Sequence, residues 1–162
     1  MLLLAPTVTS AQLIERDVPI VEAAAFFLTG DPTPKVKGTT VVTRNGKAIF
    51  APTESEPCKI ALIESDTAKT LFVFDFRKLN ADPTVRNVTF ITVHGDPAVC
   101  EMTLSDFSSA NFRPENVVSQ RCSKEATFTV VGNVGRVLWA FDYIQRRYCR
   151  GLPALPRYVD PY

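Results

Sequence analysis

The stretch TLFVFDFRKL puts Phe72, Phe74 and Phe76 on one side and Val73, Asp75 and Arg77 on the other if the chain is extended. Period two is the side-chain repeat of a β-strand, so the segment predicts a strand with one covered face. Three phenylalanines on one face need an apolar layer over them. Phe90 and Phe128 fall in segments of similar patterning. The set Phe72, Phe74, Phe76, Phe90 and Phe128 is therefore expected to face helices as the core of a two-layer domain. If the layers stood apart, the same set would line a pocket for a small apolar ligand.

Two segments read as the covering helices. In DVPIVEAAAFFLTG, Asp17 is a cap, Pro19 suits the first turn, and Ile20, Ala24, Phe27 and Leu28 recur at helical spacing before Gly30. In VGRVLWAFDYIQRRYCRG, preceded by Asn133 as a cap, the apolar stripe is Val134, Val137, Leu138, Phe141, Ile144 and Tyr148. Basic residues fill its last turn and Gly151 stops it. The expected fold is α+β: an antiparallel sheet of about five to seven strands with the N-terminal and C-terminal helices on one face.

Strand partners follow from turn signals. Asn45-Gly46 inside TTVVTRNGKAIF marks a hairpin. DPTPKVKG and APTESEP read as loops, and CKIALIES as a strand. VRNVTFITV and AVCEMTL pair across a Gly95-Asp96-Pro97 loop, so that His94 faces Ala98, Thr92 faces Cys100, Phe90 faces Met102 and Val88 faces Leu104. SDFSSANFRPENVV is an irregular excursion, and VVSQRC and ATFTVV form a last hairpin around SKE. The organisation expected is a signal-peptide remnant over 1–11, one domain over 12–151 and a Pro-rich extended tail over 152–162.

Four cysteines set the compartment. Cys58, Cys100, Cys122 and Cys149 are too far apart for CxxC pairs, and a single histidine adds little to a zinc site. Two disulfides fit better, and of three connectivities the favoured one is Cys58–Cys149 with Cys100–Cys122. Each would contribute about 3–5 kcal/mol by the loop-entropy model, the longer loop more. MLLLAPTVTSAQ supplies a short apolar run followed by small Thr9, Ser10 and Ala11, which suits a secretory signal cleaved after Ala11. No basic residue precedes the run, so this reading places the natural start upstream. The expectation is an exported protein, periplasmic or extracellular.

Charge excludes some partners. Eighteen Lys and Arg against 17 Asp and Glu give no general field for nucleic acid or an anionic membrane. No apolar run approaches the roughly 18 residues of a membrane span. The P-loop, nucleophile-elbow and zinc-protease patterns are missing, so no cofactor or metal is implied. VHGDPAVC contains the only histidine; a hydrolase with His94 as base is conceivable, but a turn explains the stretch without chemistry. Asn87-Val88-Thr89 matches the N-glycosylation pattern but falls in an expected strand.

The final helix carries the sharpest binding signal. Trp139, Tyr143, Arg146 and Arg150 recur at spacings of four, three and four, a second stripe beside the apolar one. Aromatic rings with arginines are typical of binding surfaces; the alternative is a core shoulder, with Trp139 packed beside the core and the arginines covering it by cation–π contact. The leading functional expectation is a small non-enzymatic module that binds a protein or peptide partner. The alternatives are an apolar-ligand pocket protein and a hydrolase using His94.

Overall fold

Helix α1 (Ile20–Thr29) buries Ala24, Phe27 and Leu28 as its spacing predicts, and Ala23, Ala25 and Thr29 as well, so its burial is not confined to one stripe. It closes at Gly30, whose φ is +74° and whose N–H donates to Phe26 O at 2.7 Å. A left-handed residue is a common helix stop. Here a side chain is also excluded by space, because a Cβ on Gly30 would collide with the backbone carbonyl of Val131. The structure, a computed structural model, describes residues 20–53, 55–64, 69–105 and 113–150. Asp17, Pro19, Gly151, the 1–11 segment and the 152–162 tail lie outside the described residues.

Eight strands follow in one antiparallel sheet: β1 (Lys35–Lys37), β2 (Thr40–Val42), β3 (Ala48–Phe50), β4 (Lys59–Ile63), β5 (Thr70–Asp75), β6 (Thr84–Arg86), β7 (Phe90–Leu104) and β8 (Val117–Thr129). Strands β1 to β5 run as a meander and β5 pairs with β7. Residues 90–92 of β7 pair with β6 on one edge and β8 on the other, and residues 99–103 pair with β5 and β8. β5 and β6 thus share one edge of β7, and β8 takes the whole of the other. Helix α2 (Val134–Ile144) closes the chain. Asn133 Oδ1 caps it by accepting from Arg136 N at 3.1 Å, and it runs into a π turn over Gln145–Cys149.

Asn45-Gly46 sits at a hairpin turn, with Gly46 at φ +78° between β2 and β3. Three sequence expectations are corrected. DPTPKVKG is not only a loop, because Lys35–Lys37 pair with β2 as an edge strand. Gly95-Asp96-Pro97 does not reverse the chain: β7 continues through it. His94 faces Glu125, and Val99 faces Ser123, so Gly95 to Ala98 bulge opposite Lys124 alone. The Asp96–Pro97 peptide is cis. Likewise SKE is no turn, since Ser123, Lys124 and Glu125 are the middle of one 13-residue strand. The last two misreadings took a turn-like local composition for a reversal, whereas pairing along the length of β7 and β8 holds both extended.

The core lies between the sheet and the two helices. Phe27 of α1 meets Phe76, Phe128 and Phe141 with ring centroids 5.8, 5.2 and 5.0 Å away, and Phe74 meets Phe128 at 6.1 Å. A fully buried side chain of this size contributes about 2–3 kcal/mol. Phe90 does not belong to this set: it is 42% exposed, because it faces Arg86 and Thr129 while Ile91 and Val93 turn inward. On the opposite sheet face, Phe50, Ala61, Ile63, Leu71, Val73 and Leu104 form a second cluster. Leu62 in the first cluster and Ile63 in the second show the alternation of one strand between them. The sheet is therefore apolar on both sides in its middle.

The β6–β7 turn is Asn87-Val88-Thr89, an exposed turn and not the strand that the sequence predicts there. Asn87 and Val88 have φ of 51° and 62°. A β-branched side chain in the left-handed region is strained, by roughly 1–2 kcal/mol. Val88 is 70% exposed, so little packing offsets that strain. Val88→Asn is therefore expected to stabilise the protein by about 1 kcal/mol and to raise the melting temperature by roughly 2–4 °C in calorimetry. An unchanged or lower value would contradict the left-handed turn.

Candidate functional site

Rotation of α2 is fixed by burial of Val137, Ala140, Phe141 and Ile144. Trp139 and Tyr143, one turn apart, then stack along the flank with ring centroids 5.2 Å apart and planes 17° apart. Tyr148 of the π turn meets Tyr143 edge-on at 5.8 Å. Trp139 is half-buried, and its Nε1 is shielded from solvent with no hydrogen-bond acceptor among the described residues. Tyr143 packs partly against the core. Arg146 Nε donates to Asp142 Oδ1 at 2.9 Å, a pair four residues apart that fixes the guanidinium along the helix. Arg150 serves the fold as well as the stripe, because its Nη2 donates to Leu79 O at 3.0 Å.

Beneath this stripe the helix end is bolted to the sheet. Gln145 is 2% exposed, and its Nε2 donates to Phe76 O at 3.1 Å and Leu79 O at 2.8 Å. These carbonyls belong to the turn that leaves β5. The Cys58–Cys149 disulfide, with Cα atoms 5.7 Å apart, ties the residue before β4 to the end of the π turn. Sequence reasoning passed over Gln145. Its only signal is position, one turn beyond Phe141 and next to Ile144, where the apolar stripe continues through a polar residue.

The structure puts two potential relay partners beside His94. Nδ1 lies 3.5 Å from Glu125 Oε2 and Nε2 lies 3.4 Å from Thr84 Oγ1. Carboxylate, imidazole and hydroxyl come from β8, β7 and β6, which sequence spacing alone did not bring together. Both distances exceed a normal hydrogen bond between such atoms. Glu125 is 65% exposed and His94 35%, so water competes for each group and nothing desolvates a nucleophile. The nearby Cys100 and Cys122 are bonded to each other and cannot attack.

An acid with a lowered pKa lies elsewhere. Asp75, at the end of β5, has an 8% exposed side chain. Its Oδ1 accepts from Arg77 N and Arg77 Nε, both at 3.1 Å, and its Oδ2 from Arg77 Nη2 at 3.0 Å. Burial alone would raise its pKa; the hydrogen bonds and charge of Arg77, with the charge of Lys59, outweigh burial and hold it below the ordinary aspartate range. Glu56 is also lowered, first by its hydrogen bond with Lys59. These groups brace the loop before β4 against the end of β5, next to Cys58. Among the described residues, no group of three or more His, Cys, Asp or Glu is placed to hold a metal ion, and no helix is long and apolar enough to cross a membrane.

The depressed Asp75 pKa gives a signed expectation. Its stabilising contribution is complete above the unfolded aspartate pKa and is lost as pH falls through the lower folded value. Denaturant unfolding from pH 7 to pH 2 should show that loss below the ordinary aspartate range. Asp75→Asn should be less stable at pH 7 and should lose less on acidification; equal acid slopes would show that Asp75 is not a principal acid-labile group. Comparison with protein-family models, with curated proteins and with solved structures finds no match for this chain.

Proposed function

We propose that the chain is a small exported, disulfide-stabilised, non-enzymatic module that binds a protein or peptide partner through the flank of α2. The observation that supports this reading is the stacked Trp139–Tyr143 pair, with Arg146, three residues on from Tyr143, braced by Asp142. Stacked rings give flat apolar contact area with little rotamer freedom left to lose, and a braced guanidinium gives directed donors at the rim. Trp139 Nε1 is a dry, unused donor that a carbonyl or carboxylate of a partner would satisfy after a small movement. Two disulfides suit an oxidising compartment.

The test is comparative capture. The purified, oxidised protein is immobilised and exposed to proteins of its own compartment, alongside Tyr143→Ala and Arg146→Ala. Each substitution is expected to weaken retention of the same partner by about 1–2 kcal/mol, roughly five- to thirtyfold in Kd, with the chain still folded. Arg146 is the cleaner probe, since Arg150 also holds Leu79. Emission of Trp139, the single tryptophan, should shift as partner is added. Equal retention by all three proteins would remove the flank of α2 as the binding face.

His94→Ala distinguishes the enzyme reading. A non-enzymatic module should keep partner affinity within a few-fold, since the His94 side chain meets Glu125 of β8 and Thr84 of β6. A general base would instead show itself as a drop of roughly 10²–10⁴-fold in whatever activity is assayed. A fall of that size in a folded variant would make the His94, Glu125 and Thr84 group the site.

A further inference from the structure

The two disulfides occupy opposite environments, and the difference has chemical content. Cys58 is 3% exposed beneath the π turn, and its bond closes a separation of 91 residues. Opening it would release the end of α2 from the sheet. Cys122 is exposed on β8, which among the described residues has a strand on one side only. Its partner Cys100 is directly opposite on β7, and the separation is 22 residues. The bond between them joins positions that the ladder already joins. Met102 with Gln120 and Glu101 with Arg121 pair on one side of it, and Val99 with Ser123 on the other. Breaking it frees no element of the fold, and a shorter loop loses less by being opened.

We propose that Cys100–Cys122 is a thiol–disulfide exchange site for dithiol reductants, while Cys58–Cys149 is closed to them. An incoming thiolate attacks Cys122 Sγ, the accessible sulfur on the outer strand. A new S–S bond forms to Cys122, the Cys100–Cys122 bond breaks, and the electron pair leaves on Cys100 Sγ, which takes a proton from water. The second thiolate of the dithiol then attacks its own sulfur in the mixed disulfide. The reductant departs as a disulfide, and the electron pair returns to Cys122 Sγ, which then takes a proton from water. Gln120 Nε2 lies 3.3 Å from that sulfur and is placed to donate to the thiolate as it forms. Two electrons pass from the dithiol to the protein, which ends with two thiols on an intact sheet.

The experiment uses the full chain with both disulfides formed. Dithiothreitol is added at neutral pH without denaturant, samples are quenched with an alkylating agent over time, and peptide masses report each cysteine. Near-ultraviolet circular dichroism and Trp139 emission follow the fold in the same samples. Cys100 and Cys122 are expected to be alkylated at least tenfold faster than Cys58 and Cys149, before either spectrum changes. A second protein carrying Cys100→Ser and Cys122→Ser should fold and release no thiol over that interval. The proposal is overturned if Cys58–Cys149 opens first, if all four thiols appear together as the spectra collapse, or if the doubly substituted chain fails to fold.

Discussion

The turn that leaves β5 is the point on which the rest of the architecture hangs. Its carbonyls at Phe76 and Leu79 accept from buried Gln145, and Leu79 O accepts again from Arg150. From the other side, the bulge of β7 presses against the same turn. Asn80 N donates to His94 O at 2.7 Å, and Gly95 passes so close that a Cβ there would lie 2.5 Å from Lys78 O. One short turn thus joins the end of the helical layer to the kink in the longest strand. Three carbonyl–donor contacts in a dry place are worth more than their number, because each is costly to leave unmade.

That clasp explains why β7 can change direction without ending. A bulged strand bends and twists, and it needs neighbours on both edges to keep its pairing on either side. β8 supplies one edge for the whole length; β6, the Leu79–Gly95 bridge and β5 supply the other in succession. The stretch VHGDPAVC is therefore not the hairpin loop that the sequence predicts. It is where a strand turns a corner over a turn that grips a helix.

Much of the fold was legible because its signals are local. Phe72, Phe74 and Phe76 alternate, Asn45-Gly46 makes a hairpin, and Asn133 caps α2. The errors arose where a long-range ladder overrode local composition. Gly-Asp-Pro and Ser-Lys-Glu read as reversals only if each segment must find its partner next door. Instead each strand finds it across the intervening residues 105–116. The candidate sites divide in the same way. The Trp139–Tyr143 pair follows from helical spacing alone, whereas a π turn carries the chain from Arg146 to Arg150 out of that spacing. The neighbours of His94 come from residues 10 and 31 positions away, and Gln145 reveals its role only once the β5 turn is beneath it.

Close backbone approaches also say how distant relatives of this chain would be recognised. At Gly30 the end of α1 lies against the Val131 carbonyl, and Val131 N donates back to Thr29 O at 3.2 Å. At Gly95 the strand rides over Lys78. Side chains elsewhere in the core can be exchanged at similar volume, but no residue with a Cβ fits at these two crossings without moving backbone. Divergence would erase the phenylalanines before it erased the spacing of Gly30, Gly95 and Gln145 relative to the cysteines that form the inner bond. A search built on those few backbone-dictated positions, with everything between them free, would reach further than one weighted by overall similarity.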